Sequence, residues 1–305
     1  MITECFICTA GKIVKTNYMS ENVNHVNLFS LRVHGRLLSL QEPVIMGIIN
    51  CTPDSFYGGS RYLDVEAATR KAVDMVSAGA AIIDLGGQST RPGSKLISAD
   101  EEVSRVLPVL KSLKSKFPEA FISIDTFYAS VAAASIAAGA AMVNDVSGGH
   151  YDSNMLKTVA ELDVPFICMH MKGTPQTMQQ HVNYDDFLVD IIDYFNERIR
   201  SCEAIGITDL VLDPGFGFSK TIDQSFYLLK NLSVFSKLGR PLLAGLSRKS
   251  AIYKTLDVTV EQSLNGTSVL NTLALLNGAN ILRVHDVLEA GQVVKLVTKM
   301  RGVKI

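Results

Sequence analysis

The chain has 305 residues, of which 47% are apolar and 19% charged, with a formal net charge of −1. That supplies ample material for one large core, and near-neutrality gives no general field to attract nucleic acid or a membrane, so any functional cation must act locally. Five scattered cysteines (Cys5, Cys8, Cys51, Cys168, Cys202) are an odd set that argues for a reducing compartment. Cys5 and Cys8 form a CxxC pair, but no second pair or histidine cluster completes a zinc site. No apolar run approaches the ~18 residues of a membrane span. The N-terminus lacks the basic region of a secretory signal, so the expected location is cytoplasmic.

Residues 1–18 show no clear periodicity and precede a second methionine, Met19. They are expected to be a disordered tail, with 19–305 forming a single domain. Segment 24–40 alternates apolar and polar residues (Val26, Leu28, Leu31, Val33) and predicts a short hairpin. From Pro43 onward, strand-like apolar runs alternate with amphipathic segments of helix length. The predicted strands are Val44–Asn50, Ala81–Leu85, Phe121–Asp125, Ala141–Asp145, Pro165–His170, Leu210–Asp213, Pro241–Gly245 and Asn280–Val284. Helices are expected near 64–78, 99–116, 127–138, 153–162, 184–204, 222–237, 261–277 and 286–300. Eight strand–helix units are the count of a (β/α)8 TIM barrel, whose bottom the hairpin at 24–40 would cap. A doubly wound sheet competes, but it usually carries a GxGxxG after its first strand, and none stands here. No Pro/Gly/Ser-rich linker divides the chain.

In such barrels the chemistry gathers at the C-terminal ends of the strands. Here those ends read Asn50-Cys51-Thr52-Pro53-Asp54-Ser55-Phe56, Asp84-Leu85-Gly86-Gly87-Gln88-Ser89-Thr90-Arg91-Pro92-Gly93, and Asp125-Thr126. Then come Asn144-Asp145, Met169-His170-Met171-Lys172, Asp213-Pro214-Gly215-Phe216-Gly217-Phe218, Ser247-Arg248-Lys249-Ser250 and Arg283-Val284-His285-Asp286. Arg283 and His285 lie two apart on a strand, so their side chains leave on one face. Taken in order, the eight ends resemble the pterin-binding family in its dihydropteroate-synthesising branch, from about Val44 to the C-terminus. The resemblance implies an enzyme that joins p-aminobenzoate to 6-hydroxymethyl-7,8-dihydropterin diphosphate, releasing pyrophosphate with Mg²⁺ present. It also implies a homodimer.

The resemblance assigns the pterin ring to Asp125, Asn144, Asp213, Lys249 and Arg283. A pterin's 2-amino group beside a protonated ring nitrogen offers two parallel donors, which suit a bidentate carboxylate such as Asp213. Asn144 supplies a donor and an acceptor, and Lys249 a donor for the ring carbonyl. The diphosphate falls to Asn50, Thr90, Arg91, Arg283 and His285, with Asn50 also the Mg²⁺ ligand. The p-aminobenzoate site falls to Thr90, Pro92, Phe218, Lys249 and Ser250. Catalysis is assigned to Asp125, Asp213, Lys249, Arg283 and His285, through an SN1-like transfer in which two loops, about 51–62 and 86–98, close over the substrates. Asp84 and Asp145 are divided between a site role and a loop-capping role, and His170 between packing and contact. His25, His34, His150 and His181 read as ordinary.

Two departures from the family pattern stand out. Gly58 occupies the place of a loop aspartate, and Gln88 replaces a frequent Glu before Ser-Thr-Arg-Pro-Gly. Activity is expected to survive both. A pterin-dependent methyltransferase on the same barrel would have no use for the diphosphate cations, and a non-catalytic paralogue would be expected to lose Lys249 or Arg283. A metal-dependent amidohydrolase would need His-x-His where Ile48-Ile49-Asn50 stands.

Overall fold

A computed structural model describes residues 3–9, 12–18, 29–52, 61–89 and 94–303. Strands β1 (Thr3–Thr9) and β2 (Lys12–Tyr18) form a separate antiparallel ladder, from Thr3 opposite Tyr18 to Thr9 opposite Lys12. Both strands lie in the segment that the sequence reading set apart from the 19–305 domain. Both segments are rich in Ile, Val, Thr, Phe, Tyr and Cys, residues that suit a pleated backbone, although their alternation is weak. Strands β3 (Ser30–Val33) and β4 (Arg36–Ser39) make the predicted hairpin, its described part starting at Phe29.

Eight parallel strands follow: β5 (Val44–Asn50), β6 (Ile82–Gly86), β7 (Phe121–Asp125), β8 (Met142–Asp145), β9 (Phe166–Met169), β10 (Leu210–Asp213), β11 (Leu243–Ala244) and β12 (Ile281–Val284). Each pairs with its sequence neighbour from β5 to β10, while β12 lies between β5 and β11. A bridge between Leu212 and Leu242, with Leu212 N–H donating to Pro241 O at 2.9 Å, closes the ring. The strands read as continuous apolar runs because both their faces are buried, one inside the barrel and one under helices.

Those helices are α1 (Arg61–Ser77), α2 (Ala99–Lys116), α3 (Ala129–Ala137), α4 (Met155–Leu162), α5 (Phe187–Ala204), α6 (Ile222–Lys230), α7 (Ser250–Leu256), α8 (Leu264–Leu276) and α9 (Val287–Gly302). Local signals set several starts. Ser98 accepts the Glu101 N–H at the head of α2, and Thr221 with Gln224 forms a capping box on α6. The helix expected over 222–237 is interrupted. It ends at Lys230 and resumes as a 3-10 turn over Leu232–Leu238, which still buries Leu232 and Phe235.

The interior is filled in two places. Met46, Ile82, Met142, Ile167, Val211, Leu243 and Ile281 meet Leu31, Val33, Leu38 and Leu40, so the β3–β4 hairpin plugs the N-terminal end. A larger cluster lies between strands and helices. Gly47 permits a close approach there, since a Cβ on it would lie 2.8 Å from Met75 Sδ and 3.2 Å from Val287 Cγ2. With the bottom plugged, the C-terminal end is left for chemistry.

Candidate active site

Arg283, near the end of β12, crosses the barrel mouth to two carboxylates. Its Nε donates to Asp84 Oδ2 at 2.6 Å and its Nη2 to Asp125 Oδ2 at 2.6 Å. Asp84 Oδ2 also accepts from Asn144 Nδ2 at 3.1 Å, while Asp84 Oδ1 is buried without a partner. Asp84 is wholly buried and Asn144 and Asp125 nearly so, which makes this a desolvated charged platform. Burial opposes charge on Arg283, but Asp84 and Asp125 more than offset it and raise its pKa. Burial pushes Asp125 up to about 7, with Arg283 pulling down and Asp84, Asp145 and Asp213 pushing further up.

Asp213, at the end of β10, accepts the Gly215 N–H at 2.8 Å. Gly215 has φ +70, and a Cβ on it would lie 2.2 Å from His170 O, so the turn after Asp213 requires glycine. Burial raises the Asp213 pKa, opposed chiefly by Lys249. Lys249 donates to Phe216 O and lies 4.6 Å from the centre of the Phe218 ring. Its own pKa is lowered to about 8, by burial against the pull of Asp213. An apolar wall of Phe127, Val146, Met169, Met171 and Met178 adjoins Phe218. A flat ring with donors and acceptors on its edge suits a site with this wall and these polar groups.

The Ser-Arg-Lys-Ser run divides by direction. Ser247 turns to His285, Arg248 makes two 2.9 Å bonds to Asp286, Lys249 enters the site, and Ser250 opens α7. Arg248 adopts φ +53 and also donates to Val260 O and Glu261 O, so it braces the loop. His285 is drawn down to about 4, by burial first and then by Arg283 and Lys71. Asn50 ends β5 half-buried, opposite Gly86 in the ladder.

The structure therefore brings together Asp125, Asn144, Asp213, Lys249 and Arg283, with Phe218, Ser250, His285 and Asn50 on the same end of the barrel. Thr90, Arg91, Pro92 and Gly58 lie outside the described residues. Asp145 serves the backbone instead, accepting from Ser147 N and Oγ at 2.7 Å each and from Gly149 N at 2.9 Å. His170 is packed, its Nδ1 2.9 Å from Lys220 Nζ. Lys220 also donates to Phe218 O at 3.0 Å, a buried tie on the Phe218 loop that sequence reasoning missed. The one available signal was a lysine directly after the Gly-Phe-Ser run.

The second loop is anchored on both sides of residues 90–93. Gln88 Nε2 donates to Ser89 O at 2.9 Å and Lys95 O at 3.1 Å, and its Oε1 accepts from Ile97 N at 2.9 Å. Ser94 Oγ adds a 2.6 Å bond to Ser89 O. A carboxylate at position 88 would accept from Ile97 but would have nothing to donate to the two carbonyls.

The chain matches the model of a family described as pterin binding enzyme over residues 46–285. It belongs to that family. It is 41% identical over 269 residues to the dihydropteroate synthase of Escherichia coli (strain K12), covering 88% of this chain and 95% of the relative. Yersinia pestis dihydropteroate synthase, solved as a sulfonamide drug complex, superposes with a TM-score of 0.85 at 39% identity, over 90% of this chain and all of that one. Xanthomonas albilineans dihydropteroate synthase with 4-aminobenzoic acid gives 0.85 at 38% identity, over 91% and 100%. Within the family, its kin are the dihydropteroate synthases.

Proposed function

We propose that the barrel mouth carries out the dihydropteroate synthase reaction, joining 6-hydroxymethyl-7,8-dihydropterin diphosphate to p-aminobenzoate with release of pyrophosphate. The observation that carries the reading is the buried Asp84–Arg283–Asp125 bridge with Asn144, Asp213 and Lys249 beside it. So many desolvated polar groups around one apolar wall are costly unless a ring of matching polarity occupies the space.

Asp213 takes the pterin's paired donors, Asn144 the opposite edge, and Lys249 the ring carbonyl. Breaking the C–O bond to diphosphate leaves a methylene cation conjugated to the ring. Asp125 and Asp213 lower the energy of that positive charge in a site where water does not screen it. Arg283 holds both Asp84 and Asp125 in place, and His285 faces the leaving oxygens together with Arg91. Phe218, Pro92 and Thr90 hold the aromatic ring of p-aminobenzoate, with Lys249 and Ser250 at its carboxylate. The amine then attacks in line and loses its proton to solvent as water re-enters.

Among the described residues no three His, Cys, Asp or Glu side chains gather to hold a metal. The half-buried Asn50 at the end of β5 would offer Mg²⁺ its amide oxygen, a hard donor, for an ion that usually takes substrate phosphates and water as its other ligands. When bound it supplies positive charge to the leaving oxygens.

The functional unit is residues 19–305, acting in the cytoplasm. No described helix is long and apolar enough to cross a membrane. Val269, Leu273 and Leu276 on α8, and Leu288, Leu296 and Met300 on α9, are exposed on adjoining helices, a face that suits a second copy of the chain. Sedimentation as a monomer at micromolar concentration would exclude that dimer. The activity itself is tested by incubating the purified protein with both substrates and Mg²⁺. Dihydropteroate and pyrophosphate in equal amounts are expected, and their absence would refute the reading.

A further inference from the structure

We propose that Ser247 fixes the tautomer of His285, so that the imidazole turns an N–H, and not a bare lone pair, toward the diphosphate site. The proposal rests on the reading of His285 as a diphosphate group. Ser247 is buried just beyond β11, beside the end of β12. Its Oγ accepts the His285 backbone N–H at 3.2 Å and lies 3.1 Å from His285 Nδ1.

A hydroxyl has one proton and two lone pairs, and a backbone N–H can only donate. If Nδ1 carried the ring proton, Oγ would accept twice. The buried hydroxyl proton would then find no acceptor among the described residues, an arrangement that folded proteins avoid. If the hydroxyl donates to Nδ1, every group at this junction is satisfied. The ring proton then sits on Nε2, for which no described residue is an acceptor.

The surroundings keep the ring in this neutral form. Burial and the cations Arg283 on β12, Lys71 on α1 and Arg248 before α7 disfavour a second proton, against Asp286 at the head of α9. The tautomer decides the sign of the contact with a phosphate oxygen. Nε2–H attracts it, whereas a lone pair repels it. Ser247 is thus a positioning residue, acting on the leaving group only through His285.

The test uses the full chain with ¹⁵N-labelled histidine, free of substrates at pH 7.5, with His285 assigned by its loss in His285→Gln. Long-range ¹H–¹⁵N correlation is expected to show Nε2 protonated in the wild type and a mixture of tautomers in Ser247→Ala. In kinetics, Ser247→Ala should raise KM for the pterin diphosphate roughly fivefold, the scale of one lost neutral hydrogen bond. KM for p-aminobenzoate should hold, and Ser247→Thr should restore the spectrum. Adding Ser247→Ala to His285→Ala should cost nothing further, since the serine acts through a ring that is gone. Protonation at Nδ1 in the wild type, an unchanged tautomer in Ser247→Ala, or additive penalties in the double variant would each overturn the proposal. An unchanged KM in His285→Ala would overturn the diphosphate role of His285, and the spectra would still decide whether Ser247 sets the tautomer.

Discussion

Glu102 lies in the first turn of α2, packed over Gly87 with neither carboxyl oxygen in hydrogen-bond contact. Burial, and then the nearby Asp125, push its pKa from 4.5 up to about 8, against a weaker pull from the Arg105 charge. The carboxyl is therefore neutral in the folded protein at pH 7 and ionised in the unfolded chain. A raised carboxylate pKa contributes stability that is full below the unfolded value and lost as pH rises through the folded one. Between pH 4.5 and 8 each unit of pH costs up to about 1.4 kcal/mol. Glu102→Gln keeps the shape and cannot ionise. Its stability relative to the wild type should therefore rise by about 3 kcal/mol between pH 5.5 and pH 8. Asp125 and Asp145, raised to about 7 and about 6, lose stability in the same direction in both proteins, so the difference reports Glu102 together with its coupling to these neighbours. Urea unfolding of both proteins at the two pH values measures it. A difference that does not move with pH would mean that Glu102 is already charged in the fold, and the reasoning would be wrong.

Beginning the chain at Met19 should leave melting temperature and synthesis unchanged, because among the described residues β1 and β2 ladder only with each other. A drop of many degrees in a thermal melt would show that the segment supports the barrel. Gln88→Ala should speed trypsin cleavage after the exposed Lys95, because Lys95 O and Ile97 N lose their anchor, at a cost of roughly 1–2 kcal/mol. Equal cleavage rates in the two proteins would show that the amide does not hold the loop.

The barrel was legible because parallel strands covered on both faces leave unbroken apolar runs that turn polar where the core ends. Val44–Asn50, Phe121–Asp125 and Leu210–Asp213 match the predicted spans at both ends. The break after Lys230 was not legible, because Leu232 and Phe235 continue the apolar spacing that α6 began. For the site, the residue types could be read but their pairings could not. Arg283 read as a phosphate cation, and the fold commits two of its donors to carboxylates 199 and 158 positions away. No local pattern reports a contact across that separation. Glu102 was hidden for a related reason, since an acidic first turn at Asp100-Glu101-Glu102 has the same appearance whether its third member faces water or the core. Gln88 was visible as a departure from the family, but its use as a loop anchor appears only with Lys95 and Ile97 in place.

The central claim is that the buried groups around Arg283 hold a pterin ring, and ring affinity tests it most directly. Calorimetric titration with 6-hydroxymethyl-7,8-dihydropterin diphosphate should be run on the wild type, Asp213→Ala and Lys249→Ala, each checked for a native far-UV spectrum. Removing one partner from a desolvated ring costs roughly 2–5 kcal/mol, so affinity should fall by about 30-fold or more in each variant, with most turnover lost. Wild-type affinity and synthesis in either folded variant would contradict the assignment of the pterin to this site.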